Sequence, residues 1–183
     1  MTGPGIGHNG GPATEAGASW RRHCWGAARK ALLPHLPLEV LRGRLRRAAE
    51  LGLDYSTYAG IRATTGRDVV AVLFSSNALG MERGAPALPD RQARLAGVAA
   101  RRVGLATAPL RPEAMLEAPL HEAHAAPSVL ASPRLQRQAI RAALGACPSD
   151  AALLVGGYEA EREWCAAARL GAYLPAERFF AIR

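Results

Sequence analysis

Two short polar runs carry the side chains best placed for chemistry. Ser75-Ser76-Asn77 closes the apolar run from Asp68 to Phe74, and Gly156-Gly157-Tyr158 closes the run from Ala151 to Val155. If both runs are buried strands, these residues stand at strand carboxyl ends, where open α/β sheets bind their ligands. Glycines there let a ligand approach the backbone, and the N-terminus of a following helix would suit an anion. Against phosphate, neither GxGxxG nor GxxxxGKS/T occurs, and Glu159, Glu161 and Glu163 would repel it. No cofactor is expected, and a tight turn is the simpler role for the paired glycines. Ser75, Ser76, Asn77, Gly156, Gly157 and Tyr158 are the expected lining of a small-molecule site, on condition that the two strands are neighbours.

Other reactive residues point to less. His121-Glu122-Ala123-His124 has metal-binding residue types, but the spacing differs from HExxH and Pro119 would kink a helix bringing Glu113, Glu117, His121 and His124 together. Solvated loop residues and no metal site are expected. Cys24, Cys147 and Cys165 form no CxxC pair, which argues against a disulfide framework or a cysteine-rich zinc site. Cys165 lies in an amphipathic stretch, where burial would raise its pKa and leave it inert. No trio of acid, base and nucleophile emerges, and catalytic residues stay unassigned.

Charge gives the second lead. The chain of 183 residues has a formal charge of +8, and Lys30 is the one lysine among 23 basic residues. Residues 1–67 hold ten basic side chains against Glu15, Glu39, Glu50 and Asp54, so the positive excess belongs to the N-terminal third. Such an excess attracts polyanions, nucleic acid first, and also serves solubility.

Within that third, residues 42–63 resemble the helix-turn-helix pattern of DNA-binding proteins. Ala48 stands four residues before the turn glycine Gly52, Leu51 and Leu53 flank it, and Tyr58 and Ile61 follow as anchors. The resemblance implies that Asp54, Tyr55, Ser56 and Thr57 open a recognition helix toward base edges, while Arg42, Arg44, Arg46, Arg47 and Arg62 meet phosphates. Arg47 at a normally apolar position and Gly60 inside the second helix depart from the pattern. Two ordinary packed helices joined by a glycine turn are the alternative. Farther upstream, the segment from Gly5 to Pro12 resembles an N-terminal segment of several small alphaproteobacterial proteins, some of them nucleoid-associated, and implies a lineage more than an activity.

The elements that must position these residues follow from punctuation and period. Residues 1–18, rich in glycine and proline, are expected to form a disordered tail. Residues 19–66 are expected to form a basic helical segment: one helix after Ser19 carrying Trp20, Cys24, Ala27 and Ala28, a second from Leu38, and a third capped by Asp54. In the second, Leu38, Leu41, Leu45, Ala48 and Ala49 make an apolar stripe. Residues 67–183 are expected to form an α/β domain with a small, mostly parallel sheet. Its elements are a strand at 68–74, a helix from Pro89 to Arg102, a strand at 103–107, an irregular or broken-helix segment at 109–127, and a helix from Pro133 capped by Ser132 and Gly145. A strand at 151–155, a helix ending at Gly171 and a last strand at Phe179–Ile182 complete it.

Composition excludes a membrane span, because no run reaches the roughly 18 apolar residues one needs, and a cytoplasmic location is expected. The first functional expectation is a bacterial nucleic-acid-associated or regulatory protein that grips phosphates through its arginine-rich helices. Alternatives are a small α/β enzyme or ligand-binding domain using the strand-end loops, and an adaptor docking the Leu38 stripe on a protein partner or a second copy.

Overall fold

The computed structural model describes residues 36–81 and 85–181, so the expected tail and the helix expected after Ser19 lie outside the described residues. The chain divides into two units, Met1–Val40 and Leu41–Arg183, and the packing described below belongs to the second. The boundary expected at residue 67 falls inside that unit.

Helix α1 (Leu38–Glu50) ends where Gly52 turns the chain with φ +69, a left-handed conformation that glycine adopts without Cβ strain. Asp54 then caps α2 (Tyr55–Thr65), its carboxylate accepting from the Thr57 amide at 2.8 Å, and Gly66 closes α2 with φ +71. The apolar run that follows becomes β1 (Ala71–Ser75), buried at every residue. Next come α3 (Pro89–Ala96), β2 (Arg101–Ala106), the short α4 (Pro112–Met115) and β3 (Glu122–Ala125). The chain continues through α5 (Pro133–Leu144), β4 (Ala152–Gly156), α6 (Arg162–Ala168), β5 (Ala172–Pro175) and α7 (Ala176–Ala181). Two turns of 3-10 helix, Ser149–Ala151 and Glu159–Glu161, precede β4 and α6.

The five strands form one parallel sheet in the order β3-β2-β1-β4-β5. β1 lies at its centre, with Leu73 opposite Val103 on one side and Leu154 on the other. Successive side chains of a strand point to opposite faces, and two cores result. Val72 and Phe74 join Leu153 and Val155 under Ala48 of α1, Leu51 of the turn after it, and Tyr58, Ile61, Leu95, Met115 and Phe179 from α2, α3, α4 and α7. Ala71 and Leu73 join Val103, Leu105 and Leu154 under Ile140 and Leu144 of α5 and Trp164 of α6. Helices on both faces bury the central strands β1 and β4, which explains why they read as unbroken apolar runs.

Four expected elements are displaced. α3 stops at Ala96, capped by Gly97, rather than reaching Arg102, because the chain from Arg101 pairs with β1, the Arg101 amide donating to Val70 O at 3.0 Å. The segment at 109–127 contains α4 and an edge strand, β3, so His121-Glu122-Ala123-His124 is the start and body of a strand rather than a loop. Glu159 and Glu161 precede α6 in a 3-10 turn. The last strand is β5, earlier than expected, with Pro175 tolerated at the end of an edge strand. Phe179 instead belongs to α7, packing edge-on against Phe74 with ring centroids 5.5 Å apart.

Candidate functional site

The strand order reverses at the β1/β4 junction: the chain moves outward from β1 to β2 and β3, then returns to the other side of β1 with β4 and β5. Ser75-Ser76-Asn77 and Gly156-Gly157-Tyr158 therefore sit side by side at the carboxyl edge, as the small-molecule reading required. What joins them is Glu161, which lies 1% exposed beneath the two loops. Its Oε2 accepts from Ser75 Oγ at 2.7 Å and from the Gly157 amide at 2.7 Å, and its Oε1 accepts from Asn77 Nδ2 at 2.7 Å. Burying a carboxylate is costly unless donors replace its water, and here two donors come from the β1 loop and two from the β4 loop, the Tyr158 amide adding a longer contact at 3.5 Å.

The hydroxyls are equally engaged. Ser75 Oγ accepts from the Ala78 amide at 3.0 Å and, at 3.3 Å, from Gly157. Ser76 Oγ pairs with Thr107 Oγ1 and accepts from the Thr107 amide at 3.1 Å, which fastens the end of β1 to the end of β2. On the far side Tyr173 donates to Tyr158 O at 2.9 Å. Burial, then the nearby Glu161 and Glu159, push the Tyr173 phenol up to about 12.

Both glycines are required by contact. A Cβ on Gly156 would lie 2.5 Å from the Tyr173 ring and 2.8 Å from Glu161 Oε2, and one on Gly157 would lie 2.6 Å from the Asn77 carbonyl carbon. The space beside these glycines is filled by the protein's own atoms. Thr107 and Glu161 were not singled out from the sequence. Glu161 was hidden in the alternating run 159/161/163, which reads as charges at a helix N-terminus; only the 3-10 turn aims the middle one inward.

The arginine-rich helices divide between side chains held inside the fold and side chains open to solvent. Leu51, Leu53, Tyr58 and Ile61 are buried as the helix-turn-helix pattern anticipates. Arg47, however, faces the protein: Nε donates to Asp68 at 2.9 Å, Nη1 to Glu50 and to Ala99 O, and Nη2 to Val69 O at 3.0 Å. Burial lowers the Arg47 pKa, but its hydrogen bonds to Asp68 and Glu50 outweigh that and leave it raised. The Ser56 and Thr57 hydroxyls donate to Asp54, and Arg178 donates to Thr57 at 2.8 Å. Arg62 reaches the Tyr58 hydroxyl at 3.5 Å, and Tyr55 is half-buried. Arg42 and Arg46 are exposed and Arg44 partly so. Arg47, Ser56, Thr57 and Arg62 thus spend donors inside the fold.

Among the described residues no three His, Cys, Asp or Glu side chains gather as a metal set. Glu122 instead pairs with Arg101 and with His124 at 3.2 Å. Burial pushes the Cys165 thiol up to about 11, as expected for an inert core thiol.

Fold and junction together define a doubly wound α/β protein whose strand-end loops are locked across the topological switch point. No protein-family model, curated protein or solved structure matches the chain.

Proposed function

We propose that the Leu41–Arg183 unit is a ligand-binding α/β domain that seats a small polar molecule over the carboxyl ends of β1 and β4. The observation that carries this reading is the placement of the two polar loops across the point where strand order reverses, the place where such sheets leave a crevice. The ligand would meet the accessible members of the polar band, Asn77, Thr107 and Tyr158, which are partly or largely exposed. Glu161 beneath them and Glu159 at the rim favour a neutral or cationic ligand over a phosphoanion. Binding suits the arrangement better than turnover, because the Ser75 and Ser76 hydroxyls are buried and held by internal partners, leaving no activated nucleophile.

The test is a titration of the isotope-labelled full chain, followed by amide chemical shifts, with free amino acids, polyamines, polyols and nucleosides in one arm and nucleotides and sugar phosphates in the other. Shifts clustering at residues 75–78, 107 and 156–158, in the first arm and lost in Asn77→Ala, are expected. Shifts scattered elsewhere, or none, would overturn the reading.

A further inference from the structure

The opposite end of the sheet carries a second, differently built surface. A groove of about 470 Å³ runs between the end of α5 and the end of α6, lined by Arg137, Arg141, Cys147, Ser149, Asp150 and Arg169, among others. It lies before the amino end of β4, away from the Glu161 junction. From Ala126 to Ser149 the chain has three arginines and no acidic residue. All three are exposed on α5 at positions 134, 137 and 141, the i, i+3, i+7 spacing that keeps them on one helix face.

This clustering works against the fold. Like charges one turn apart destabilise a helix, and Arg134 in the first turn opposes the helix dipole. Among the described residues none of Arg134, Arg137, Arg141 and Arg169 has a carboxylate partner, Arg141 being held only by Ser149 Oγ at 2.8 Å. Several cations elsewhere are matched, Arg47 by Asp68 and Glu50, Arg101 by Glu122 and Arg162 by Glu159, and what sets α5 apart is that its three arginines share one face with no acidic residue between Ala126 and Ser149. The one carboxylate in the groove, Asp150, is itself taken by Arg67 at 2.9 Å. Arg169 adds a backbone observation. It ends α6 with φ 55 and ψ 51, the left-handed conformation that helix ends usually give to glycine, so a long cationic side chain stands where a residue without one would be less strained.

We infer that the groove between α5 and α6 is a docking surface for the phosphate backbone of nucleic acid, with Arg134, Arg137, Arg141 and Arg169 as its contacts. Three points select this partner. Arg134 to Arg141 spans about 10 Å of helix, longer than a single phosphate and long enough for consecutive ones. Guanidinium groups are suited to phosphate by their forked donors. The residues lining the groove include no large apolar side chain to insert into lipid.

The test is fluorescence anisotropy of the full chain with a labelled random-sequence duplex, titrated between about 50 and 200 mM salt, where phosphate-driven affinity changes steeply. Arg137→Ala/Arg169→Ala should weaken binding at least about tenfold and reduce the slope of log affinity against log salt by about two. Arg137→Lys/Arg169→Lys, which keeps the charge, should stay near wild type, and Arg44→Ala/Arg46→Ala removes the same charge from α1 and should cost less. Thermal unfolding of each variant checks that the fold persists. The inference is overturned by no binding at the lowest salt, by equal losses in both alanine pairs, or by capture on phosphatidylserine vesicles without duplex binding.

Discussion

The two ends of the sheet solve opposite electrostatic problems. At the carboxyl end, Glu161 is almost fully buried and every one of its hydrogen bonds is internal. At the amino end, the three arginines of α5 and Arg169 after α6 are exposed and, among the described residues, lack carboxylate partners. A buried charge is tolerated only when the fold supplies its partners, so the first region must contribute to stability. An exposed uncompensated charge costs little to the fold and little to remove, so the second can be spent on binding. The difference separates residues that hold the protein together from residues free to meet something else, although both sets are polar.

The sharpest way to break this comparison is Glu161→Ala. It strands the Ser75 hydroxyl, the Asn77 amide group and the Gly157 N–H, and an expected loss of about 3–5 kcal/mol follows from leaving a buried polar network without its hub. Urea unfolding measures it, and a loss below that of an ordinary surface substitution would mean the junction is not held as described. Glu161→Gln keeps the shape but turns an NH2 toward donors, with an expected cost of about 1–3 kcal/mol. Gly157→Ala should be of similar size, about 1–3 kcal/mol, because its Cβ meets the Asn77 and Ala78 backbone rather than a flexible side chain.

Arg47 refines the rule that arginine position decides arginine role. Removing it takes one of two side-chain donors from Asp68, which keeps Tyr58 Oη at 2.8 Å, and a donor from each of two backbone carbonyls, and Arg47→Ala should cost about 1.5–3 kcal/mol. Arg137→Ala should stay within about 0.5 kcal/mol of wild type in the same assay. Equal losses at the two positions would dissolve the distinction between a clasp and a contact surface.

The smallest expected loss of stability is pH-dependent and lies at the cap of α2. Hydrogen bonds from Ser56 and Thr57 lower the Asp54 carboxyl to about 2 from its ordinary value near 3.8. A carboxylate lowered in the folded state contributes stability above its ordinary pKa and loses it as pH falls through the folded value, so the contribution should fade between about pH 4 and pH 2. Asp54→Ala should remove about 1 kcal/mol at neutral pH, the usual cost of an N-cap, and flatten that part of the acid unfolding profile. An unchanged profile would show that the cap is not ionised as described.

Legibility in the sequence followed the range of the interactions involved. The strands β1 and β4 were readable because a strand buried on both faces needs an unbroken apolar run, and the loops that end them were readable as its polar stop. β3, with sequence Glu122-Ala123-His124-Ala125, was not, since an edge strand half open to solvent carries no apolar period. The aromatic pair Phe179-Phe180 reads as strand by propensity and folds as helix, because β5 is completed at Pro175 and Phe179 has Phe74 to bury against. At the candidate site the six loop residues were marked in advance, while Glu161 and Thr107 were not: nothing local distinguishes Glu161 from Glu159 and Glu163.

By itself, then, the sequence determined the α/β class, the central strands, the capped helices and the positive excess, all of which rest on periods and punctuation within a few residues of each other. Only the tertiary structure decided that β1 and β4 are neighbours, that Glu161 closes their junction, and that Arg47 is a clasp while Arg137 and Arg169 stand open. Those outcomes depend on contacts between residues far apart in the chain, from Arg47 and Asp68, 21 positions apart, to Ser75 and Glu161, 86 positions apart, and the partner a charge finds at that separation is set by tertiary packing rather than by its neighbours in the chain.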